Sequence, residues 1–86
     1  MWQLVFTARA RRDSKIAQKS VYKDRIESIL RSLQLNPLDP SDNLEKLQPP
    51  RANIFSKRIN RQHRVVYLVD KPKNLVKVLS LWTHYE

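Results

Sequence analysis

No glycine occurs among the 86 residues of this chain, so every turn has to be made by residues that carry a Cβ. Where φ must be positive, Asn is the least costly substitute, because its short polar side chain bonds locally. Asn36, Asn53, Asn60 and Asn74 stand where the patterned segments end, and they are the expected turn formers. The same absence removes whole function classes. Walker-type and dinucleotide-type phosphate loops both need backbone positions that only glycine fills cheaply, so the usual nucleotide cofactors are not expected. Cysteine is absent as well, which excludes disulfides, a thiolate nucleophile and cysteine-based zinc or iron–sulfur centres.

The remaining pattern describes one small α+β domain over residues 1–86. Trp2 to Phe6 is short, aromatic and β-branched, and predicts a first strand. It is interrupted by Gln3 and followed at once by Arg9, Arg11 and Arg12, a texture that fits neither a signal peptide nor a membrane span, so a cytosolic chain is expected. A polar helix around Ala8 to Lys19 comes next, broken near Ser20. Tyr22, Ile26, Ile29, Leu30 and Leu33 then recur at helical spacing, with charged residues between them, and predict a second, amphipathic helix. From Asn36 to Pro50 four prolines and several Asp, Ser and Asn residues read as a loop. Asn53 to Asn60, His63 to Asp70 and Leu75 to Trp82 are three runs rich in β-branched and aromatic residues, expected to form an antiparallel meander. The expected order is β-α-α-β-β-β: two N-terminal helices packed on one face of a small, twisted, antiparallel-rich sheet, with the other face open to a ligand.

Charge says what that ligand should be like. Seventeen Lys and Arg against eight Asp and Glu give a net charge of +9, which makes a polyanion the default partner. Between Glu45 and Asp70 there is no acid, whereas Lys46, Arg51, Lys57, Arg58, Arg61 and Arg64 lie in that interval. With strands paired antiparallel, Lys57, Arg58 and Arg64 are expected to concentrate cations on one sheet face, where guanidinium groups grip a phosphate bidentately. A merely solvated basic face accounts for the charge equally well. His84 closes the last strand beside Tyr85, whereas His63 precedes Arg64, points to the opposite face and reads as structural. Two His residues without a patterned acidic cluster make a poor case for metal, and none is expected. A carboxylate, several Arg, a His and a Tyr suit RNA cleavage by the substrate's own 2′-hydroxyl. That reaction needs a base for the 2′ proton, an acid for the departing 5′ oxygen and cations around the phosphorane.

Four segments carry a resemblance to a known family: Glu45-Lys46-Leu47, Phe55-Ser56-Lys57-Arg58-Ile59, His63-Arg64-Val65-Val66-Tyr67 and the closing His84-Tyr85. In this order and spacing they resemble the YoeB/Txe branch of the RelE/ParE toxin superfamily, ribosome-associated mRNA endonucleases of bacterial toxin–antitoxin pairs. The resemblance implies a RelE-like fold, Glu45 as general base, His84 as general acid, and Arg64 and Arg58 as phosphate-stabilising cations. It further implies that Tyr85 positions the base or nucleotide. A Lys that the family often carries three residues after its Glu is Gln48 here, leaving Lys46 or Lys57 to supply that charge. Asn53 replaces a family Gly, Phe55 a Trp or Tyr, and Lys57 the first Arg of a common Arg pair. Implied partners are a cognate antitoxin with an acidic segment that folds on the toxin, the ribosome with its mRNA, and a second copy in a homodimer; no membrane is implied. Two other readings remain on the same residues: a noncatalytic basic module that binds RNA or the ribosome, and a ParE-like gyrase inhibitor.

Overall fold

The aromatic opening forms β1 (Gln3–Phe6), followed by α1 (Ala8–Ala17), α2 (Lys23–Leu35), β2 (Glu45–Lys46), β3 (Ile54–Arg58), β4 (His63–Asp70) and β5 (Leu75–His84). The computed structural model describes residues 1–84, with the backbone alone at 83 and 84. The strands form one sheet in the order β1-β5-β4-β3-β2. β1 runs parallel to β5, and the other neighbours are antiparallel. The α+β architecture is the expected one, with one strand more than the pattern predicted. Glu45 and Lys46, expected within the loop from Asn36 to Pro50, pair with Ser56 and Phe55 as an edge strand. Two residues are too few for any periodicity to reveal.

Alternation along β3 and β4 divides the sheet into two faces. Phe55, Lys57, Ile59, Val65, Tyr67 and Val69 are buried on the side of the helices. There they meet Ile26, Ile29 and Leu33 of α2 in one core, each such burial contributing about 1.5–3 kcal/mol. Tyr22, expected on the same helical face, lies one residue before α2 and remains exposed. α1 presents the small Ala10 and Ala17 to the core, which lets its backbone come close to the sheet. Thr7 caps α1 by accepting from the Ala10 N–H at 3.1 Å, and its own hydroxyl donates to the Leu79 carbonyl at 2.8 Å. One side chain therefore starts the helix and fixes it to β5.

Substitutes for glycine occupy the turns. Asn53 (φ 56°) and Asn74 (φ 52°) are left-handed, and so are Asp42 (φ 56°) and Asn43 (φ 53°) inside the proline-rich loop. Asn36 is extended instead. Asn60 turns the chain with its side chain, Oδ1 accepting from the N–H groups of Gln62 and His63, each at 2.8 Å. Trp82 is also left-handed (φ 60°), a conformation that costs an aromatic residue about 1–3 kcal/mol. It sits where β5 carries extra residues against β4, the register shifting between Arg64 and Val66 and again between Val66 and Tyr67. Asp13 Oδ2 accepts from the Leu81 N–H at 3.1 Å, and the His63 ring stacks on Trp82 with centroids 4.0 Å apart. These contacts hold the irregular strand end in place. Among the described residues no helix is long and apolar enough to cross a membrane.

Candidate active site

Register places the site on the face away from the helices. Glu45 pairs with Ser56, and Arg58 pairs with Arg64, so on this face a carboxylate, a hydroxyl and two guanidinium groups come from three adjacent strands. Arg64 joins them. Its Nη1 donates to Ser56 Oγ at 3.1 Å, and its Nη2 lies 3.4 Å from Glu45 Oε1. Arg64 is 17% exposed and Glu45 58%, so the guanidinium is seated in the sheet on a buried serine while the carboxylate stands in solvent. An ion pair this exposed adds only about 0–1 kcal/mol to stability. Its consequence is positional: Glu45 is held where a ligand reaches it, and Arg64 keeps further N–H donors in a fixed fork. Arg58 is exposed beside it and forms no ion pair with a carboxylate among the described residues.

The short edge strand that carries Glu45 is fixed from beneath. The Leu47 N–H donates to the Ile54 carbonyl, and the Arg58 N–H to the Asp42 carbonyl, each at 2.8 Å. Lys57 is 0% exposed; its Nζ donates to Ser41 Oγ at 3.1 Å and lies 3.9 Å from Asp39 Oδ2. The Tyr67 hydroxyl donates to the Pro37 carbonyl at 2.7 Å. Arg25 of α2 donates from Nε to the Ile59 carbonyl at 2.6 Å and pairs with Asp42 at 3.3 Å. Loop 36–44 is thereby bound from the core side of the sheet at several points, and that loop delivers Glu45. The bonds from Ser41 hold the Asp39 carboxyl below its ordinary value near 3.8, with the Lys57 ammonium adding a smaller pull against slight burial. Burial, with the Asp39 charge adding to it, pushes the Tyr67 hydroxyl well above its ordinary value of 10.0.

The expected cation cluster is divided between the two faces. Arg58 and Arg64 lie with Glu45, but Lys57 lies under the sheet among core residues because it alternates with Arg58. Lys46 also lies on that second face, opposite Phe55 in register, with its ammonium 5.7 Å from the Phe55 ring centroid. Gln48 is exposed beyond β2. His63 stacks on Trp82 as a structural residue would. The backbone of His84 pairs with His63, next to the Arg64 position; its side chain, and all of Tyr85, lie outside the described residues. Ser56 was missed by sequence reasoning, although the alternation of Ser56 with Phe55 and Lys57 places it on the face of Arg58. Asp39, Ser41 and Asp42 looked like ordinary loop residues, and nothing local marked them as anchors.

A family model described as the YoeB-like toxin of bacterial type II toxin–antitoxin systems matches residues 6–85. The YoeB/ParE toxin from Agrobacterium tumefaciens superposes with a TM-score of 0.84 at 26% identity, over 96% of this chain and 99% of that one. The YoeB dimer from Staphylococcus aureus gives 0.81 at 32% identity, over 98% of each chain. The E. coli RelBE toxin–antitoxin complex gives 0.75 at 18% identity over the whole of both chains, a likeness of fold alone. A search of curated protein sequences returned no match. The family match covers nearly the whole chain and includes every residue of the Glu45–Ser56–Arg58–Arg64 face: this chain belongs to the YoeB-like toxins of bacterial type II toxin–antitoxin systems.

Proposed function

We propose that the protein is a ribosome-dependent endoribonuclease that cuts mRNA in the ribosomal A site, without a metal, and so stops translation. The observation that carries this reading is the Glu45–Arg64–Ser56 contact on the open sheet face, with Arg58 opposite Arg64. Glu45 takes the proton of the 2′-hydroxyl, and the 2′ oxygen forms a bond to phosphorus. The bond to the 5′ oxygen breaks, and His84 returns a proton to that leaving oxygen. The products are a 2′,3′-cyclic phosphate and a 5′-hydroxyl end. Arg64 and Arg58 offset the charge that builds on the phosphorane, and Tyr85 positions the nucleotide. Lys46 contributes to holding the RNA backbone at the sheet edge. Lys57 acts through the loop that it anchors.

The family supplies the partners. Solved relatives include a YoeB–YefM complex and a YoeB dimer, both from Staphylococcus aureus. By that likeness this chain is held inactive by a cognate antitoxin whose acidic segment folds against the +9 surface, and the free toxin forms a homodimer. A ribosomal target places its action in the cytoplasm. The test is to add the protein to ribosomes stalled on a defined mRNA and to map the new 3′ ends by primer extension. A cut in the A-site codon, lost with Glu45→Gln and absent from ribosome-free RNA, is the expected result. Ribosome binding with no cut leaves a noncatalytic basic module. Inhibition of DNA supercoiling instead leaves a gyrase inhibitor.

A further inference from the structure

At the end of the sheet nearest the Arg58–Arg64 pair, the β3–β4 turn, the start of α2 and the end of β5 enclose an open cleft of about 700 Å³. Its lining combines flat aromatic rings with guanidinium groups: Tyr22, Trp82 and His63 together with Arg58 and Arg61. No carboxylate is among the residues that line it. The Tyr22 ring is exposed and inclined at 45° to Trp82 with centroids 6.0 Å apart, so the two rings meet at an angle rather than covering each other face to face. His63 stacks on Trp82 nearly in parallel, with an interplanar angle of 13°. Trp82 lines the cleft from the bulged end of β5, where its backbone is left-handed. Arg58 belongs to both places, since it lines the cleft and is also the register partner of Arg64.

We infer that this cleft is a nucleotide subsite: it takes an unstacked base of single-stranded RNA against Tyr22 and Trp82, while Arg61 and Arg58 hold the adjoining phosphate. The inference rests on RNA being the substrate, and it names where the nucleotide beside the scissile phosphate goes. Every base offers a π-face, so stacking on such a platform tolerates any sequence, and the flanking guanidinium groups add charge and a second stacking plane. The continuity through Arg58 explains how one strand occupies both places. Its scissile phosphate lies over the Arg58–Arg64 pair, and the next base turns over the sheet end into the cleft.

Binding is tested without cleavage, so that failure here and failure of the nuclease reading remain distinct. Trp2→Phe leaves Trp82 as the one tryptophan and hence the reporter. The probe is a 2′-O-methyl RNA hexamer, which has no free 2′-hydroxyl to attack, compared with an abasic strand of the same backbone. The hexamer should quench Trp82 fluorescence and bind about tenfold more tightly than the abasic strand, and Tyr22→Ala should remove most of that difference. Arg61→Ala should lower the slope of log affinity against log salt by about one. Equal affinity for both strands, or an unchanged affinity in Tyr22→Ala, overturns the subsite. So does displacement of the hexamer by an acidic, aromatic peptide that binds more tightly, because the cleft would then belong to a protein partner. If Trp82 is quenched as expected but no mRNA is cut on ribosomes, only the nuclease reading falls.

Discussion

Tyr67→Phe isolates the bond that ties the proline-rich loop to the core. The Tyr67 hydroxyl donates to the Pro37 carbonyl at 2.7 Å, and both residues are buried. Phenylalanine keeps the ring and its packing on Phe55, whose centroid lies 6.0 Å away, so no large cavity opens. What goes is one hydrogen bond, and the Pro37 carbonyl is left buried without a donor. Together these cost about 2 kcal/mol. Near 60 °C the unfolding entropy of 86 residues is about 0.18 kcal/mol/K, so the melting temperature should fall by about 11 °C at neutral pH. The gap should also narrow in alkali. A folded pKa above the unfolded value means that the native protein keeps its proton where the unfolded chain loses it. The contribution of Tyr67 is therefore complete below pH 10 and declines as pH rises. At pH 11 ionisation of the unfolded tyrosine removes about 1 kcal/mol from the parent and nothing from the variant, so that roughly half of the gap goes. Urea unfolding followed by circular dichroism from pH 7 to 11 reads both effects. A neutral-pH difference under about 0.5 kcal/mol, or a gap that stays constant up to pH 11, refutes this account of Tyr67.

Lys57→Met keeps the buried stem and removes the ammonium that holds Ser41 and Asp39; we expect slower cleavage on ribosomes, with the salt slope of RNA binding unchanged, as assays of the two side by side will show. A lowered salt slope would mean that Lys57 touches phosphate after all. Arg64→Lys keeps one charge but cannot bridge Ser56 and Glu45 with a fork, and single-turnover cleavage should fall about 100-fold. Asp39→Asn should flatten the acid limb of stability, because the stabilisation from the lowered Asp39 pKa is present above its ordinary value near 3.8 and is lost as pH falls through the folded value; acid titration of the two proteins followed by fluorescence compares those limbs. The cognate antitoxin at about 100 times its Kd should add about 2.7 kcal/mol and raise the melting temperature by more than 10 °C, which scanning calorimetry measures directly.

Most of the fold was legible because its elements are long and regularly patterned. α2 shows helical spacing from Ile26 to Leu33, and β4 runs from His63 to Asp70 as its composition predicts. Left-handed Asn53 and Asn74 follow from the absence of glycine. Of the candidate site residues, Glu45, Arg58 and Arg64 were legible as a group that one sheet face brings together, whereas the division of the other cations was not. Lys57 and Arg58 are neighbours in sequence, and the period of two that makes a strand sends them to opposite faces. β2 is two residues long, and the bonds that fix it come from Asp42, Ser41 and Tyr67, partners distant in sequence whose pairing no local pattern encodes. The bulges of β5 change the alternation near Trp82, which explains why the aromatic cleft had no sequence signature.

The central claim is that the Glu45–Arg64 face makes the substrate's own 2′-hydroxyl the nucleophile. It is tested most directly with two mRNAs on stalled ribosomes, identical except for a single 2′-deoxy sugar at the nucleotide 5′ to the mapped cut. The account predicts a 2′,3′-cyclic phosphate end from the all-ribose message and no cut at that position in the substituted one. Cleavage of the substituted message at an unchanged rate would contradict it, because the nucleophile would then come from elsewhere.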